Sequence, residues 1–355
     1  MVDWKGLLNW SMKYTDGTKP SQFKPLSLED QKFIEGALES ICINEMKEIW
    51  KILDTIKTRE GSSENEINER LDLLETLAHY IDGPENARNI VRGKRFIELI
   101  TYFFECQHKE VKIALGRLIT QMMQNDGYIQ KAAMDFGIFA FLKELHETSD
   151  KELIGMYIYM LTGIIYGDEL EVRKHFVLDL DGVVLLFNML LKQKDNFKNT
   201  KRLLNIFLDL NKITDQHAKE GISELRDKTL MIMKDINLHK NFVLMLNDYD
   251  YSNTNYVDVI HIIMDNIVNV SELFDDVNVV FEQIKKMNDI INKSPVLGDA
   301  DKKEEKMYLI QVIKSVKMRL SEVKYQKENK SNAKEEQHEV KMLGNKESMR
   351  IELKK

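Results

Sequence analysis

The sequence predicts an all-α chain built as a repetitive helical solenoid, and three observations support this prediction. The chain has four prolines, at positions 20, 25, 84 and 295, so residues 85–294 contain none. Leucine, isoleucine, methionine, lysine and glutamate fill that stretch at the spacing of amphipathic helices, with few strand-like alternations. A pattern of apolar positions also recurs with a period of about 42 residues, which is typical of stacked helical repeats.

Turn-forming residues and capping patterns divide the chain into five segments. The first two prolines predict a flexible arm, and Ser27 with Asp30 three residues later predicts the start of the next helix. Pro295 and Gly298 mark the end of the repeats, and 16 charged residues without an apolar period predict a disordered tail after residue 320. The segments are an arm (1–26), an N-terminal helical cap (27–65), a repeat domain (66–295), a C-terminal helix (296–320) and a charged tail (321–355).

The N-terminal cap is predicted from two apolar stripes at helical spacing. The first stripe comprises Phe33, Ile34, Ala37, Leu38 and Ile41, and the second comprises Met46, Ile49, Trp50, Leu53 and Ile56. Residues 59–65, which follow them, are rich in turn formers and predict a loop before the repeats begin.

Four equivalent helices, spaced by about 42 residues, define the repeat. Their apolar columns are Leu77, Ile119, Leu161 and Leu203; Tyr80, Met122, Ile164 and Ile206; Ile81, Met123, Ile165 and Phe207; and Leu73, Leu115 and Tyr157. Within each helix these positions fall on one face at roughly 100° per residue, while the opposite face is polar. We therefore predict a solenoid of the armadillo or HEAT type, with about four repeats and a helical cap at each end.

Three glycines, Gly93, Gly137 and Gly182, precede the apolar second helix of successive repeats. We expect each of them to end a short first helix in the left-handed conformation, which glycine adopts without steric cost. This expectation bears on the segment around Gly182, because that segment also matches the motif of an enzyme family.

The segment Asp179-Leu180-Asp181-Gly182-Val183-Val184 resembles the nucleophile motif of the haloacid-dehalogenase phosphatases, in which the first aspartate attacks phosphorus. Such enzymes place the motif at the end of a buried parallel strand and follow it with βα units. Between residues 183 and 297 the only glycine is Gly221, so tight βα turns are not available. We reject a phosphatase and interpret both aspartates as turn and capping residues.

The composition and the scattered reactive residues argue against catalysis and against several partners. The net charge of −7 gives no basic field for nucleic acid or an anionic membrane. Two cysteines, Cys42 and Cys106, are too few for a disulfide framework, and no apolar run has the length of a signal peptide or a membrane span. The eight histidines form no pair at i,i+4 and have no acidic partner at ligand spacing. We expect a cytoplasmic monomer without enzymatic activity, metal or cofactor.

The polar faces of the four equivalent helices are the predicted binding surface, because solenoids bind partners along a concave face. The candidate residues are Glu75, His79, Arg117, Gln121, Tyr159, Lys201 and Asn205, with Gly163 in the same column as His79. A mixture of opposite charges with an aromatic ring favours a protein partner over nucleic acid. The alternative interpretation is that these residues are only the solvated face of the helices.

Several collinear segments resemble the armadillo-type nucleotide exchange factors of heat-shock protein 70, the Hsp70-binding protein family. They are LLNWS (7–11), LLETLAHYIDGPENARNIVRG (73–93), LITQMMQNDGYIQKAAMDFG (118–137) and VLDLDGVVLLFNML (177–190). Together they extend over roughly residues 1–290 in the order and spacing of that family. The resemblance implies a cytosolic co-chaperone that embraces the ATPase domain of heat-shock protein 70 and accelerates release of ADP and of the bound client.

The same resemblance implies a role for the N-terminal arm in freeing persistent clients by imitating an unfolded peptide. Trp4, Leu7, Leu8, Trp10 and Met12 would serve that role here; a helix that docks on its own domain is the equally open alternative. The insertion DGPE (82–85), the stretched fourth repeat and the charged tail depart from the family. An armadillo-type scaffold for another protein partner therefore remains the alternative function.

Overall fold

A computed structural model describes residues 27–58, 63–167, 169–211, 220–247, 249, 257–274, 276–293, 304, 306–326 and 329. All regular secondary structure in these residues is helical and none of them lies in a strand, which confirms the predicted all-α class. The chain divides into two compact units, Met1–Ile164 and Ile165–Lys355, which are called here the N-terminal unit and the C-terminal unit. The predicted arm (1–26), with Trp4, Leu7, Leu8, Trp10 and Met12, lies outside the described residues.

The helices of the N-terminal unit are joined by short connections. They are α1 (Leu28–Thr58), α2 (Glu64–Tyr80), α3 (Pro84–Arg92), α4 (Phe96–Glu105), α5 (Lys109–Met123), α6 (Gly127–Asp135), α7 (Phe141–Glu147) and α8 (Lys151–Ile165), and a 3-10 turn (Ile138–Ala140) precedes α7. The last residue of α8 is the first residue of the C-terminal unit.

The helices of the C-terminal unit include one π-helical segment. They are α9 (Leu170–Lys174), which continues as the π-helix His175–Asp179, then α10 (Gly182–Gln193), α11 (Phe197–Asn211), α12 (Glu220–Asp235), α13 (Leu238–Met245), α14 (Val257–Asn269), a 3-10 turn (Ser271–Leu273), α15 (Asn278–Lys293) and α16 (306–326). The predicted C-terminal helix ends at residue 320, but α16 continues to residue 326, with Val323 and Lys324 half-buried in the added turns.

From α3 onward the helices form four repeats of three helices each. The first helices are α3, α6, α9 and α12, the second helices are α4, α7, α10 and α13, and the third helices are α5, α8, α11 and α14. Helix α2 occupies the position of a further third helix, α1 forms the N-terminal cap, and α15 and α16 follow the last repeat as the C-terminal cap. This order confirms the predicted all-α repeat solenoid of the armadillo type.

A residue in the left-handed conformation separates the first and second helices of every repeat. These residues are Lys94, Gly137, Asp181 and Asn237, with φ of 58°, 76°, 49° and 54°. The prediction that Gly93 and Gly182 take this conformation is therefore wrong, because the left-handed position falls on the next or the previous residue. Glycine is required there by close contact instead: a Cβ on Gly93 would lie 2.8 Å from the Trp50 ring, and one on Gly182 would lie 2.5 Å from Phe176.

The predicted apolar columns form the core of the third helices. Leu77, Ile119, Leu161 and Leu203 are all completely buried, and the remaining column members are buried except Tyr80 and Leu73, which are half-buried. Each unit thus holds its own part of a continuous apolar pattern. Removing one such leucine would leave a cavity that costs about 2–5 kcal/mol of stability.

The N-terminal cap is a single 31-residue helix, α1, whose range includes both predicted stripes. Asp30 N–H donates to Ser27 Oγ at 3.1 Å, as the capping pattern predicts. The second stripe is confirmed by the burial of Ile49, Leu53 and Ile56. Phe33 departs from the prediction, since it is 39% exposed, and the side chains of residues 37–44 lie outside the description.

Candidate partner-binding site

The polar residues of the N-terminal unit are held on α2, α5 and α8. We call Glu75, His79, Arg117, Gln121 and Tyr159 the N-terminal polar row. Glu75, His79 and Arg117 are exposed, and none of their side chains makes a hydrogen bond or an ion pair with any described residue. Because Leu77 and Ile119 anchor the opposite faces of the same helices in the core, these three side chains are directed to solvent with their polar groups available.

Gln121 is used inside the molecule as well as on its surface. Its side-chain amide donates to the carbonyl of Ala78 at 3.1 Å and to the Asp82 carboxylate at 2.7 Å, and it is half-buried. Both acceptors lie at the end of α2, so this amide ties α5 to the preceding third helix. The Gln121 prediction as a partner contact remains untested, but its donor groups are already engaged.

Gly163 belongs to a column that was predicted to lie on the polar face. At this position the structure has a packing contact instead. Gly163 is buried, and a Cβ on it would lie 2.6 Å from the Thr120 side chain of α5. Gln130, which is also buried, donates its amide to the Gly163 carbonyl at 2.8 Å. The close approach of α5 and α8 thus replaces a solvated face at this point. Tyr159, four residues earlier on α8, is half-buried.

The C-terminal unit carries the other two predicted residues, Lys201 and Asn205, on α11. The Lys201 ammonium lies 2.5 Å from the Asp258 carboxylate of α14, so its charge is matched within the unit. Asn205 is exposed and has no partner among the described residues. Sequence analysis missed Asp258, because it lies 57 residues from Lys201 and not one repeat length away.

A second contact joins the same two helices in the C-terminal unit. Asn266 on α14 is completely buried, and its amide donates to the carbonyls of Leu204 at 3.0 Å and Ile262 at 2.9 Å. On the exposed side of α14, His261 Nδ1 lies 2.9 Å from the Tyr308 hydroxyl of α16. The third helices of this unit are therefore bonded to each other and to the cap.

The reactive groups of the N-terminal unit are held in unreactive states. Burial raises the pKa of the Cys106 thiol, which keeps it protonated. The Tyr157 hydroxyl donates to Glu144, which also accepts from the Lys112 ammonium at 2.6 Å, and burial followed by this carboxylate raises the pKa of Tyr157. The cluster of Tyr157, Glu144 and Lys112 links α5, α7 and α8.

The phosphatase-like motif has no catalytic geometry. Asp179 ends a π-helix, where its carboxylate lies 2.8 Å from His175 Nδ1, and Asp181 is an exposed left-handed residue before α10. No strand precedes either aspartate in the described part of the chain. The rejection of a phosphatase therefore agrees with the local fold.

One prediction about the histidines is wrong. His175 and Asp179, and likewise His261 and Asp265, are pairs at i,i+4, with nitrogen–oxygen distances of 2.8 and 3.4 Å. The helical spacing brings each pair together. No group of three or more possible metal ligands occurs among the described residues, however, so these are isolated pairs.

None of the described helices is both long enough and apolar enough to cross a membrane. No protein-family model matches the sequence, and no curated protein matches it. Among solved structures, an engineered protein is similar with a TM-score of 0.51 and 14% identity, over 74% of this chain and 98% of that protein. At that identity the similarity shows the fold alone.

Two designed armadillo repeat proteins are also similar, each at 12% identity over 74% of this chain and 99% of the other. Their TM-scores are 0.48 and 0.46, and the second was solved in complex with the peptide (KR)4. The three-helix repeats described above define the class of this chain: it has an armadillo-type repeat fold.

Proposed function

We propose that this protein is a non-enzymatic interaction scaffold that binds a protein partner through the N-terminal polar row. One observation carries this proposal: the side chains of Glu75, His79 and Arg117 have no partner among the described residues. All three are exposed on adjacent third helices. Charges that the fold does not use internally remain available for a partner. The buried apolar face of the third helices fixes the backbone positions from which these side chains project.

The chemistry of the row favours a protein surface of mixed charge. Glu75 and the neighbouring exposed carboxylates Asp72 and Asp82 on or beside α2 would attract cationic side chains. The Arg117 guanidinium would form a two-pronged bond with a carboxylate, which is among the stronger polar contacts in interfaces. Nucleic acid does not suit this surface, because the carboxylates would repel phosphates.

The finer assignment that we propose is the ATPase domain of heat-shock protein 70, on which the chain would act as a nucleotide exchange factor in the cytoplasm. The support is the resemblance of four collinear segments, and the three of them within the described residues contribute to α2 and α3, α5 and α6, and α10. A clamp that prefers the open form of the ATPase domain weakens ADP binding, and by linkage ADP weakens the clamp by the same factor. Residues 1–26 would then assist client release.

Two measurements with purified components test both levels of the proposal. Calorimetric titration of the protein into the ATPase domain, with and without ADP, is expected to show binding that ADP weakens. Release of a fluorescent ADP analogue is expected to accelerate in proportion to the bound fraction. Binding without accelerated release would leave a scaffold and exclude the exchange factor, and no binding would remove heat-shock protein 70 as the partner.

A further inference from the structure

The C-terminal cap, which consists of α15 and α16, carries apolar side chains on its outer face. Four of these side chains are between 61% and 65% exposed, and they are Val279, Met307, Met318 and Tyr325. The opposite faces of the two helices are buried, for example at Ile284 on α15 and Val316 on α16. The cap is therefore apolar where a terminal repeat ordinarily presents polar residues to water.

The exposed apolar side chains are spread along the cap. The Lys324 ammonium near the end of α16 donates to the side chain of Asn278, the first residue of α15, at 3.0 Å. This contact brings Val279 and Tyr325 to the same end of the helix pair. Along α16, Met318 lies about 10 Å and Met307 about 27 Å from Tyr325, at about 1.5 Å per residue.

The cap is basic, although the chain as a whole is acidic. Helices α15 and α16 contain eight lysines and arginines and three aspartates and glutamates, which gives the pair a net charge of +5 in a chain of net charge −7. The ammonium groups of four lysines make no hydrogen bond or ion pair with any described residue, and these are Lys285, Lys286, Lys314 and Lys317. Such an asymmetry of charge within one chain indicates an anionic partner for the basic part.

We propose that the outer face of the C-terminal cap binds an anionic membrane surface. Lysines near such a surface are attracted by its lipid headgroups, and exposed apolar side chains are stabilised when they enter the boundary between headgroups and acyl chains. The long lysine side chains keep their ammonium groups at headgroup level while the neighbouring Met318 reaches deeper. Tyr325 suits the same boundary, because its ring is apolar and its hydroxyl is polar.

The negative charge of the rest of the chain does not prevent this binding. Electrostatic interactions are screened over about 8 Å at physiological ionic strength, so only charges close to the lipid headgroups contribute strongly. When the cap faces the membrane, those charges are mainly its own unpaired lysines. The inference does not depend on the partner of the N-terminal polar row.

Other occupants fit the outer face less well. Nucleic acid would be attracted by the lysines, but single-stranded bases bind by stacking on flat rings, which Val279 and the two methionines do not offer. A second copy of the protein would bring two cationic faces together, which like-charge repulsion disfavours. An acidic protein would need a separate pocket for each protruding apolar side chain, whereas a fluid lipid surface accommodates them at any spacing.

Co-sedimentation of the full-length protein with lipid vesicles tests the role of charge. Vesicles of phosphatidylcholine with about one third phosphatidylserine should bind it at least about tenfold more tightly than pure phosphatidylcholine vesicles. Replacing Lys285, Lys286, Lys314 and Lys317 by Gln should remove most of this preference. The matched control is the same replacement at four lysines of the same unit that are also exposed and unpaired among the described residues, namely Lys192, Lys198, Lys234 and Lys240. The control loses the same charge and should change binding by less than about twofold.

The apolar contribution is tested by Met318→Glu, which should weaken binding to the phosphatidylserine vesicles at least about tenfold. Met231→Glu is the matched control, because Met231 is 67% exposed on α12 of the same unit, and it should change binding by less than about twofold. Circular dichroism checks that every variant keeps its helicity.

Insertion has its own readout in vesicles whose acyl chains carry bromine, which quenches tryptophan fluorescence at that depth. Additional quenching relative to the wild type is expected for Met318→Trp and not for Met231→Trp. No preference for phosphatidylserine, or equal losses in the two lysine variants or in the two methionine variants, would overturn the proposal. Tighter binding to an RNA oligonucleotide or to polyglutamate than to the vesicles would overturn it in favour of nucleic acid or an acidic protein.

Discussion

The third helices of the two units carry polar residues at equivalent repeat positions, but the units use them differently. In the N-terminal unit Glu75 and Arg117 are exposed and unpaired with any described residue. In the C-terminal unit Lys201, two repeat lengths beyond Arg117, is paired with Asp258, and the buried Asn266 joins the same two helices. Residues at equivalent repeat positions thus either bind a neighbouring helix or remain available to a partner.

The N-terminal unit does have ion pairs between third helices, but they lie at the helix starts. Lys109 at the start of α5 lies 2.7 Å from Asp150 and 2.5 Å from Glu152 at the start of α8. This location stabilises the helix pair without using Arg117, two turns further along α5. Both units therefore have ion pairs between third helices, and they differ in where along the helices these pairs lie.

Substitutions in the apolar columns should cause the largest losses of stability. These losses should be the same in both units, because the columns are equivalent in the two. Leu77→Ala and Leu203→Ala each remove a completely buried side chain and should each cost about 2–5 kcal/mol of unfolding free energy. Urea denaturation followed by circular dichroism measures both. A cost below about 1 kcal/mol in only one unit would mean that the repeat core is not equivalent in the two.

A smaller effect should reveal the internal bonding of the C-terminal unit. Asn266→Ala leaves the carbonyls of Leu204 and Ile262 without this donor, and we expect a loss of about 1–3 kcal/mol in the same denaturation experiment. The matched control is Asn205→Ala on α11, which should change stability by less than about 0.5 kcal/mol because Asn205 is exposed and unpaired. Equal losses would show that the buried amide contributes no more to the free energy of unfolding than the exposed one.

The ion pair on the polar face should contribute less. Lys201 and Asp258 are 42% and 64% exposed at their side chains, and exposed pairs typically contribute about 0–1 kcal/mol. A double-mutant cycle with Lys201→Met and Asp258→Asn at two salt concentrations isolates the coupling. A coupling above about 2 kcal/mol, or one that salt does not weaken, would contradict this account.

The smallest effect concerns acid stability in the N-terminal unit. The hydrogen bond from Lys109, followed by that from the Leu153 N–H, lowers the pKa of Asp150 below its ordinary value of 3.8. A carboxyl group with a lowered folded pKa stabilises the fold above its unfolded pKa, and this stabilisation disappears as the pH falls through the folded pKa. Lys109→Met should therefore lower stability slightly at pH 7, with a difference from wild type that shrinks below pH 3.8. Urea titrations at several pH values would contradict this if the difference stayed constant.

The sequence was sufficient to predict the all-α repeats and their core, because burial imposes one apolar face on every third helix. The positions of the left-handed residues were not predictable from glycine alone. Lys94 and Asp181 take that conformation, while Gly93 and Gly182 are fixed by contacts with aromatic rings. The Trp50 ring that Gly93 contacts lies 43 residues earlier in the chain, so no local pattern contains this contact.

The candidate site was predicted in outline only. Exposure of Glu75 and Arg117 follows from helical periodicity, since both lie opposite the apolar columns. The engagement of Lys201 was missed because the stretched fourth repeat places Asp258 out of register with the 42-residue spacing. Whether a polar residue is paired depends on its neighbours in space. The 42-residue spacing does not predict those neighbours across the stretched fourth repeat.

Partner binding by the N-terminal polar row is the central claim, and one titration series tests it most directly. The affinity of the ATPase domain of heat-shock protein 70 is measured by calorimetry for the wild type and for Arg117→Glu, Lys201→Glu and Lys143→Glu. The last variant is a control at an exposed, unpaired lysine on α7. We predict that Arg117→Glu weakens binding by about 2 kcal/mol or more with helicity retained, whereas the other two variants change it by less than about 0.5 kcal/mol. Full affinity in the Arg117 variant, or equal losses in all three, would contradict the claim.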